Sequence, residues 1–114
     1  MQDGQLKLVI VIAEDIDADR LMGRLIEQGL PATKVSSTGG FLRKGNATIL
    51  SGVEAGEVDQ VLALVREECH ARTEFVPVQK LPFFGESSAL TEPPEVRVGG
   101  AIVFVVNVER FEKT

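Results

Sequence analysis

Two strongly apolar runs near the ends of the chain constrain its fold more than any other feature. Residues 6–13 and 101–108 are almost continuously apolar and rich in β-branched side chains. A strand that is apolar on both faces normally lies inside a sheet that is covered on both sides. The sequence therefore predicts a sheet built around these two segments, with other parts of the structure packed against both faces.

Two helices are expected between the strands. Apolar residues at helical spacing predict helices over residues 17–28 and 57–69, with Asp15 or Asp17 as the first N-cap and Gly29 just after the first helix. The buried stripes are expected to contain Leu21, Met22, Leu25 and Ile26 in the first helix and Val58, Val61, Leu62, Val65 and Cys69 in the second.

The order of the elements predicts the topology. Thr-, Ser- and Val-rich runs flank a glycine-rich connection at 39–45, as in a hairpin, and a short strand over residues 72–78 is expected to pair with residues 95–98. The predicted fold is a single α+β domain over residues 1–114. It is a ferredoxin-like βαββαβ sandwich, with a four-stranded antiparallel sheet, two helices on one face and a two-stranded arm within the long segment 72–98.

Two helices on one face leave the other face of this sheet uncovered. In both terminal strands apolar side chains occur at the even-numbered and at the odd-numbered positions, so each strand has two apolar faces. The face turned away from the helices therefore also needs a cover. A partner subunit is one solution. The alternative is that the long loop folds back over the face, although its larger apolar side chains are limited to Leu81, Phe83, Phe84 and Leu90.

Charge is distributed unevenly along the chain. The 24 residues at 30–53 contain Lys34, Arg43 and Lys44 and no acid, so their net charge is +3. The whole chain has a net charge of −5, so the remaining 90 residues have a net charge of −8. The same segment is rich in glycine and hydroxyl side chains. Free backbone N–H groups, small side chains and local positive charge are typical of an anion site.

Composition excludes several classes of protein. A net charge of −5 and a pI near 4.9 argue against a nucleic-acid polymer as partner. A single cysteine suits a reducing cytoplasm, the first residues do not resemble a signal peptide, and the apolar runs are too short for membrane insertion. We therefore expect a cytoplasmic protein.

No catalytic motif is recognisable in the sequence. It contains no phosphate-binding Walker motif, no GxSxG and no paired carboxylates in a familiar frame, which favours a receptor over an enzyme. Cys69 and His70 are adjacent, but the chain has one Cys and one His, too few for a metal centre or a nucleophile with its base. Cys69 is therefore expected to be a small core residue, and we predict no metal or cofactor.

Three segments resemble the PII-like cyclic di-AMP receptor family. They are A-T-K at 32–34, S-T-G-G-F-L-R-K-G-N at 37–46, and V-G-G-A-I-V-F-V at 98–105, with G-V at 52–53 between them. The resemblance implies a homotrimer of ferredoxin-like subunits that binds the dinucleotide in clefts between neighbours and changes loop conformation to regulate a protein target. The implied ligand-binding residues are Thr33, Thr38, Gly39, Gly40, Phe41, Leu42, Asn46, Gly52 and Phe104, with phosphate neutralised by Lys34, Arg43 or Lys113.

The same residues allow other interpretations. Arg43 and Lys44 could be solvated charges at a hairpin tip, Phe41 could pack against a neighbouring subunit, and Asn46 could be a turn residue. The sequence also departs from the pattern of cyclic di-AMP binders, which carry an Asn, an Arg and a Gln where this chain has Gly29, Pro31 and Lys113. The alternative function is a trimeric PII-like scaffold that has lost cyclic di-AMP binding and acts by protein contact or binds another small anionic ligand.

Overall fold

The computed structural model describes residues 5–36, 45–75 and 95–114. Within these ranges the chain forms six strands, two α-helices and one short 3-10 turn, Ala55–Glu57. In chain order the elements are β1 Leu6–Glu14, α1 Asp15–Glu27, β2 Thr33–Ser36, β3 Asn46–Glu54, α2 Val58–Cys69, β4 Arg72–Phe75, β5 Glu95–Val98 and β6 Ala101–Asn107.

Strands β2, β3, β1 and β6 form one antiparallel sheet in that order. This order and the two helices confirm the predicted ferredoxin-like βαββαβ fold. Strand β1 lies inside the sheet, paired with β3 on one side and β6 on the other, as its two apolar faces predict. Strand β6 is equally apolar but lies at an edge of the sheet, and among the described residues no second strand pairs with it.

The core lies between the helices and one face of the sheet. Alternate residues of β1 and β3 point into it, and both helices contribute a narrow stripe. The buried members are Val9, Val11, Ala13, Ala18, Leu21, Leu25, Leu30, Ala47, Ile49, Val53, Val61, Leu64, Val65 and Cys69. The predicted stripe of α1 was wrong at Ile26, which is 63% exposed, and that of α2 omitted Leu64, which is buried.

The N-terminus of α1 also differs from the prediction. Glu14 occupies the N-cap position, and its side chain makes no capping hydrogen bond. Asp17, predicted as a possible cap, lies inside the first turn and is fully buried. At the other end, Gly29 adopts a φ of 74°, the left-handed conformation expected of a glycine that follows a helix.

The predicted two-stranded arm is confirmed. Strands β4 and β5 pair antiparallel, with Arg72 opposite Val98 at the root of the arm. Gly99 and Gly100 then return the chain to β6, with φ values of 80° and 87°. Among the described residues, no helix is long and apolar enough to cross a membrane.

Candidate functional site

The sheet face opposite the helices is apolar and partly exposed. On β6, Ile102, Phe104 and Val106 are 57%, 51% and 41% exposed. On β1, Ile10 and Ile12 point to the same side and are half-buried. We call this surface the open face. It is the uncovered face that the sequence predicted.

Four predicted binding residues share the open face. In the strand register, Thr33 is opposite Leu50, Leu50 opposite Ile10, and Ile10 opposite Phe104, so these residues form one row across the sheet. Asn46 and Gly52 lie on β3 at even spacing from Leu50 and therefore point to the same side. Three strand spacings of about 4.8 Å place Thr33 and Phe104 about 14 Å apart, on opposite edges of the sheet.

One end of the sheet opens into a cleft of about 630 Å³. It lies between the β1–α1 corner, the start of β3 and the glycine pair before β6. Its lining residues are Ile12, Ala13, Glu14, Asp15, Ile16, Gly45, Asn46, Gly99, Gly100, Ala101 and Ile102. Among the residues that the structure describes, Asn46 is the predicted site residue in this lining. It is the first residue of β3, which does not support the alternative of a turn residue.

Hydrogen bonds join the walls of the cleft. The backbone N–H of Asp15 donates to the carbonyl of Gly45 at 2.7 Å. The backbone N–H of Gly99 donates to Glu14 Oε2 at 3.2 Å. Glu14 is also the register partner of Asn46 across β1 and β3. The β1–α1 corner therefore contacts both other walls of the cleft.

Lys34 points away from the four predicted binding residues on the open face. It is paired with Ile49, which lies on the helix side of the sheet. Its ammonium lies 2.7 Å from Asp19 Oδ1 and 3.7 Å from Asp15 Oδ1. The hydrogen bond to Asp19 raises the pKa of Lys34, while partial desolvation opposes that effect. Its charge is thus engaged by α1, and in this structure it does not face the open side.

The remaining predicted residues include some that the structure describes and some that lie outside the described ranges. Thr33 is exposed on β2, and a Cβ added to Gly52 would meet no described atom within 4 Å, so both positions are accessible from the open face. Lys113 lies in the exposed C-terminal segment. Five predicted binding residues and one predicted phosphate neutraliser lie outside the described residues: Thr38, Gly39, Gly40, Phe41, Leu42 and Arg43.

Cys69 is a core residue, as predicted. Its side chain is 1% exposed. Burial, followed by the nearby charge of Asp17, raises the pKa of the Cys69 thiol from 9.0 to about 11. A thiol with this pKa is protonated at neutral pH and is a poor nucleophile.

The sequence prediction missed an ion pair beside the cleft. Asp17 is 0% exposed, and Arg72 of β4 places Nη2 3.3 Å from its Oδ1. One signal was available in the sequence. Asp17 falls four residues before Leu21 and eight before Leu25, on the buried stripe of α1, where a charged residue requires a partner.

Comparison with known proteins gives a family match and structural matches. The model of a family described as cyclic-di-AMP receptor matches residues 6–114. A crystal structure of a functionally unknown protein from Pediococcus pentosaceus ATCC 25745 is 38% identical, covers 98% of this chain and 100% of its own, and gives a TM-score of 0.77. A structure of CPII bound to ADP, AMP and acetate, from Thiomonas intermedia K12, is 18% identical over 95% of this chain and 90% of its own, with a TM-score of 0.49.

The fold and the family match together assign the chain. The sheet order, with two helices on one face and an additional arm, defines a protein of ferredoxin-like topology. The chain belongs to the cyclic-di-AMP receptor family.

Proposed function

We propose that the chain is a cytoplasmic, trimeric PII-like signalling protein that binds cyclic di-AMP in clefts between its subunits. Binding would change the conformation of the loops within 39–45 and 72–98 and so change the surface offered to a protein target. In this role the protein is a receptor and not an enzyme. Family membership and the arrangement of the described site residues support this function.

The separation of Thr33 and Phe104 carries the proposal. Within one protomer they lie on opposite edge strands, about 14 Å apart by strand spacing. The open face between them is apolar and requires a cover. A second copy that covers this face brings residues of its own sheet near those of the first. A ligand site that uses both residues is therefore best completed by two copies of the chain.

One observation favours a second function. Lys34, the described strand residue expected to neutralise phosphate, is held by Asp15 and Asp19 on the other side of the sheet. The cleft is lined by Glu14 and Asp15, and its described lining residues include no basic side chain. Because an acidic lining disfavours an anion, this charge balance supports the alternative in which a trimeric scaffold has lost cyclic di-AMP binding and acts by protein contact.

Calorimetric titration with cyclic di-AMP separates the two functions. We expect the native protein to bind, Asn46→Ala to bind much more weakly, and Asn107→Ala to bind like the native protein. Asn107 is a matched control because it pairs with Lys7, about six residues and ~20 Å along β6 from the cleft. A native protein that binds neither cyclic di-AMP nor AMP, ADP or cyclic di-GMP would favour the scaffold.

The assembly is tested independently of the ligand. Light scattering after size exclusion should give a trimer for the native chain. Phe104→Asp places a charge on the open face and should yield smaller species, whereas Ile26→Asp, at an exposed apolar position on α1, should remain trimeric. A native monomer at micromolar concentration would refute the proposed assembly.

A further inference from the structure

Asp17 is a fully buried carboxylate with two arginine partners. Arg20 lies one turn further along α1, so that pair is local to the helix. Arg72 lies 55 residues away, at the first position of β4. Its Nη2 is 3.3 Å from Asp17 Oδ1 and its Nη1 is 3.5 Å from Oδ2, so the two groups approach fork to fork. The second pair therefore joins the helix to the arm.

Arg72 is also confined on its other sides. Its Nη1 donates to the carbonyl of His70 at 3.2 Å. A Cβ added to Gly99 would lie 2.5 Å from both Arg72 Nη1 and His70 O. The start of β4 and Gly99, which follows the arm, are thus packed together around the guanidinium group of Arg72. Asp17 contacts the same group from α1.

The exit of the arm is held by the same corner of the protein. The Gly99 N–H donates to Glu14 Oε2 at 3.2 Å, and Glu14 immediately precedes α1. The Asp15 N–H donates to Gly45 O, on the opposite wall of the cleft. Residues 14–17 therefore contact the entry and exit of the arm and the residue that precedes Asn46.

We propose that Asp17 is a positioning residue that fixes the β4–β5 arm to the β1–α1 corner and thereby sets the Gly99–Gly100 wall of the cleft relative to the Asn46 wall. The carboxylate does not line the cleft. It acts through Arg72, whose position determines where the root of the arm lies. A carboxylate buried at this depth is costly unless its partners are retained, which favours one placement of the arm.

The orientation of the arm can be measured without any ligand. Amide residual dipolar couplings of 72–75 and 95–98 are compared with an alignment tensor fitted to β1 and β3. In the native protein, we expect the arm couplings to fit the tensor of the sheet. In Asp17→Asn and Arg72→Gln they should shrink and lose this fit, while the sheet couplings remain unchanged. Arg72→Lys keeps the charge and should recover part of the fit.

Asp19→Asn is the matched control. Asp19 is an exposed acid in the same turn of α1, and it pairs with Lys34. Its replacement should leave the arm couplings unchanged. Arg72→Gln keeps the Asp17–Arg20 pair and so provides a second variant if Asp17→Asn does not fold. Native-like arm couplings in Arg72→Gln would overturn the proposal, as would an equal loss of order in the arm and the sheet.

The consequence for binding rests on the proposed function. With cyclic di-AMP as the probe, Asp17→Asn should weaken binding by about 5- to 150-fold, the range usual for coupled sites, while Asp19→Asn binds like the native protein. If the native protein does not bind cyclic di-AMP, the proposed function fails, but the dipolar couplings still decide the role of Asp17. If Asp17→Asn loses the fit of the arm couplings but binds cyclic di-AMP with unchanged affinity, the link between the arm and the cleft is refuted.

Discussion

The two adjacent glycines before β6 offer a sharp test of how the arm is packed. Both have positive φ, 80° at Gly99 and 87° at Gly100. Alanine at either position therefore incurs a left-handed backbone cost of about 1–2 kcal/mol. Alanine also restricts the unfolded chain to a similar extent at both positions, and this effect cancels when the two variants are compared.

The space around the two glycines is different. A Cβ at Gly99 would lie 2.5 Å from Arg72 Nη1 and from the carbonyl oxygen of His70. At Gly100 the nearest atom is the Cβ of Ala71 at 3.7 Å, an ordinary contact. The guanidinium is held by Asp17 and the oxygen belongs to the backbone, so neither can move away freely. Overpacking of this kind costs about 1–3 kcal/mol, which should appear in Gly99→Ala alone.

Urea unfolding followed by far-ultraviolet circular dichroism measures this difference, because the chain has no Trp or Tyr to serve as a fluorescent probe. With a denaturant slope of about 2 kcal/mol per M, the midpoint of Gly99→Ala should lie ~0.5–1.5 M below that of Gly100→Ala. Both variants must be compared at the same protein concentration, since association would stabilise them. Equal midpoints, or a lower midpoint for Gly100→Ala, would refute the packing described for Gly99.

Two further predictions concern the ligand and the core. Gly29→Asn combined with Pro31→Arg should tighten cyclic di-AMP binding by about one to two decades, because an added charge-assisted hydrogen bond contributes roughly 1.5–3 kcal/mol and asparagine tolerates the φ of 74° at position 29. The control pairs Gly29→Asn with Pro31→Glu, and calorimetry showing no gain with arginine would contradict the expectation. Since burial raises the pKa of Cys69 from 9.0 to about 11, the native state keeps its proton where the unfolded chain loses it. Stability should be fully retained below pH 9 and fall towards pH 11. Cys69→Ala should lack this component, and a constant difference between the two proteins across that range would refute it.

The architecture followed from local patterns in the sequence. The end strands, the helices and the glycine pair each have a periodicity or a turn chemistry that is visible over a few residues, and their order determines the sheet. The apolar face left uncovered by the helices was also predictable, because strands β1 and β6 are apolar at both parities. The exposed Ile26 was not, since the width of the buried stripe depends on how α1 sits on the sheet.

The candidate site was only partly predictable. Thr33 and Lys34 were both proposed as ligand contacts, yet neighbouring residues of a strand point to opposite faces. That rule alone places them on different sides, and Lys34 does lie on the helix side. The pairing of Asp17 with Arg72, by contrast, could not be predicted from neighbouring residues in the sequence. The two residues are 55 positions apart, and no local pattern shows that the arm returns to the first turn of α1.

The placement of Thr33 and Phe104 on opposite edges has a consequence for the proposed receptor in the cell. A site shared between protomers exists only in the assembled protein, so ligand binding and association are linked equilibria. The ligand then stabilises the trimer, and dilution below the association threshold weakens the apparent affinity. Such a receptor would report the abundance of its own chains together with the concentration of the nucleotide, and its response would become steeper as its expression falls.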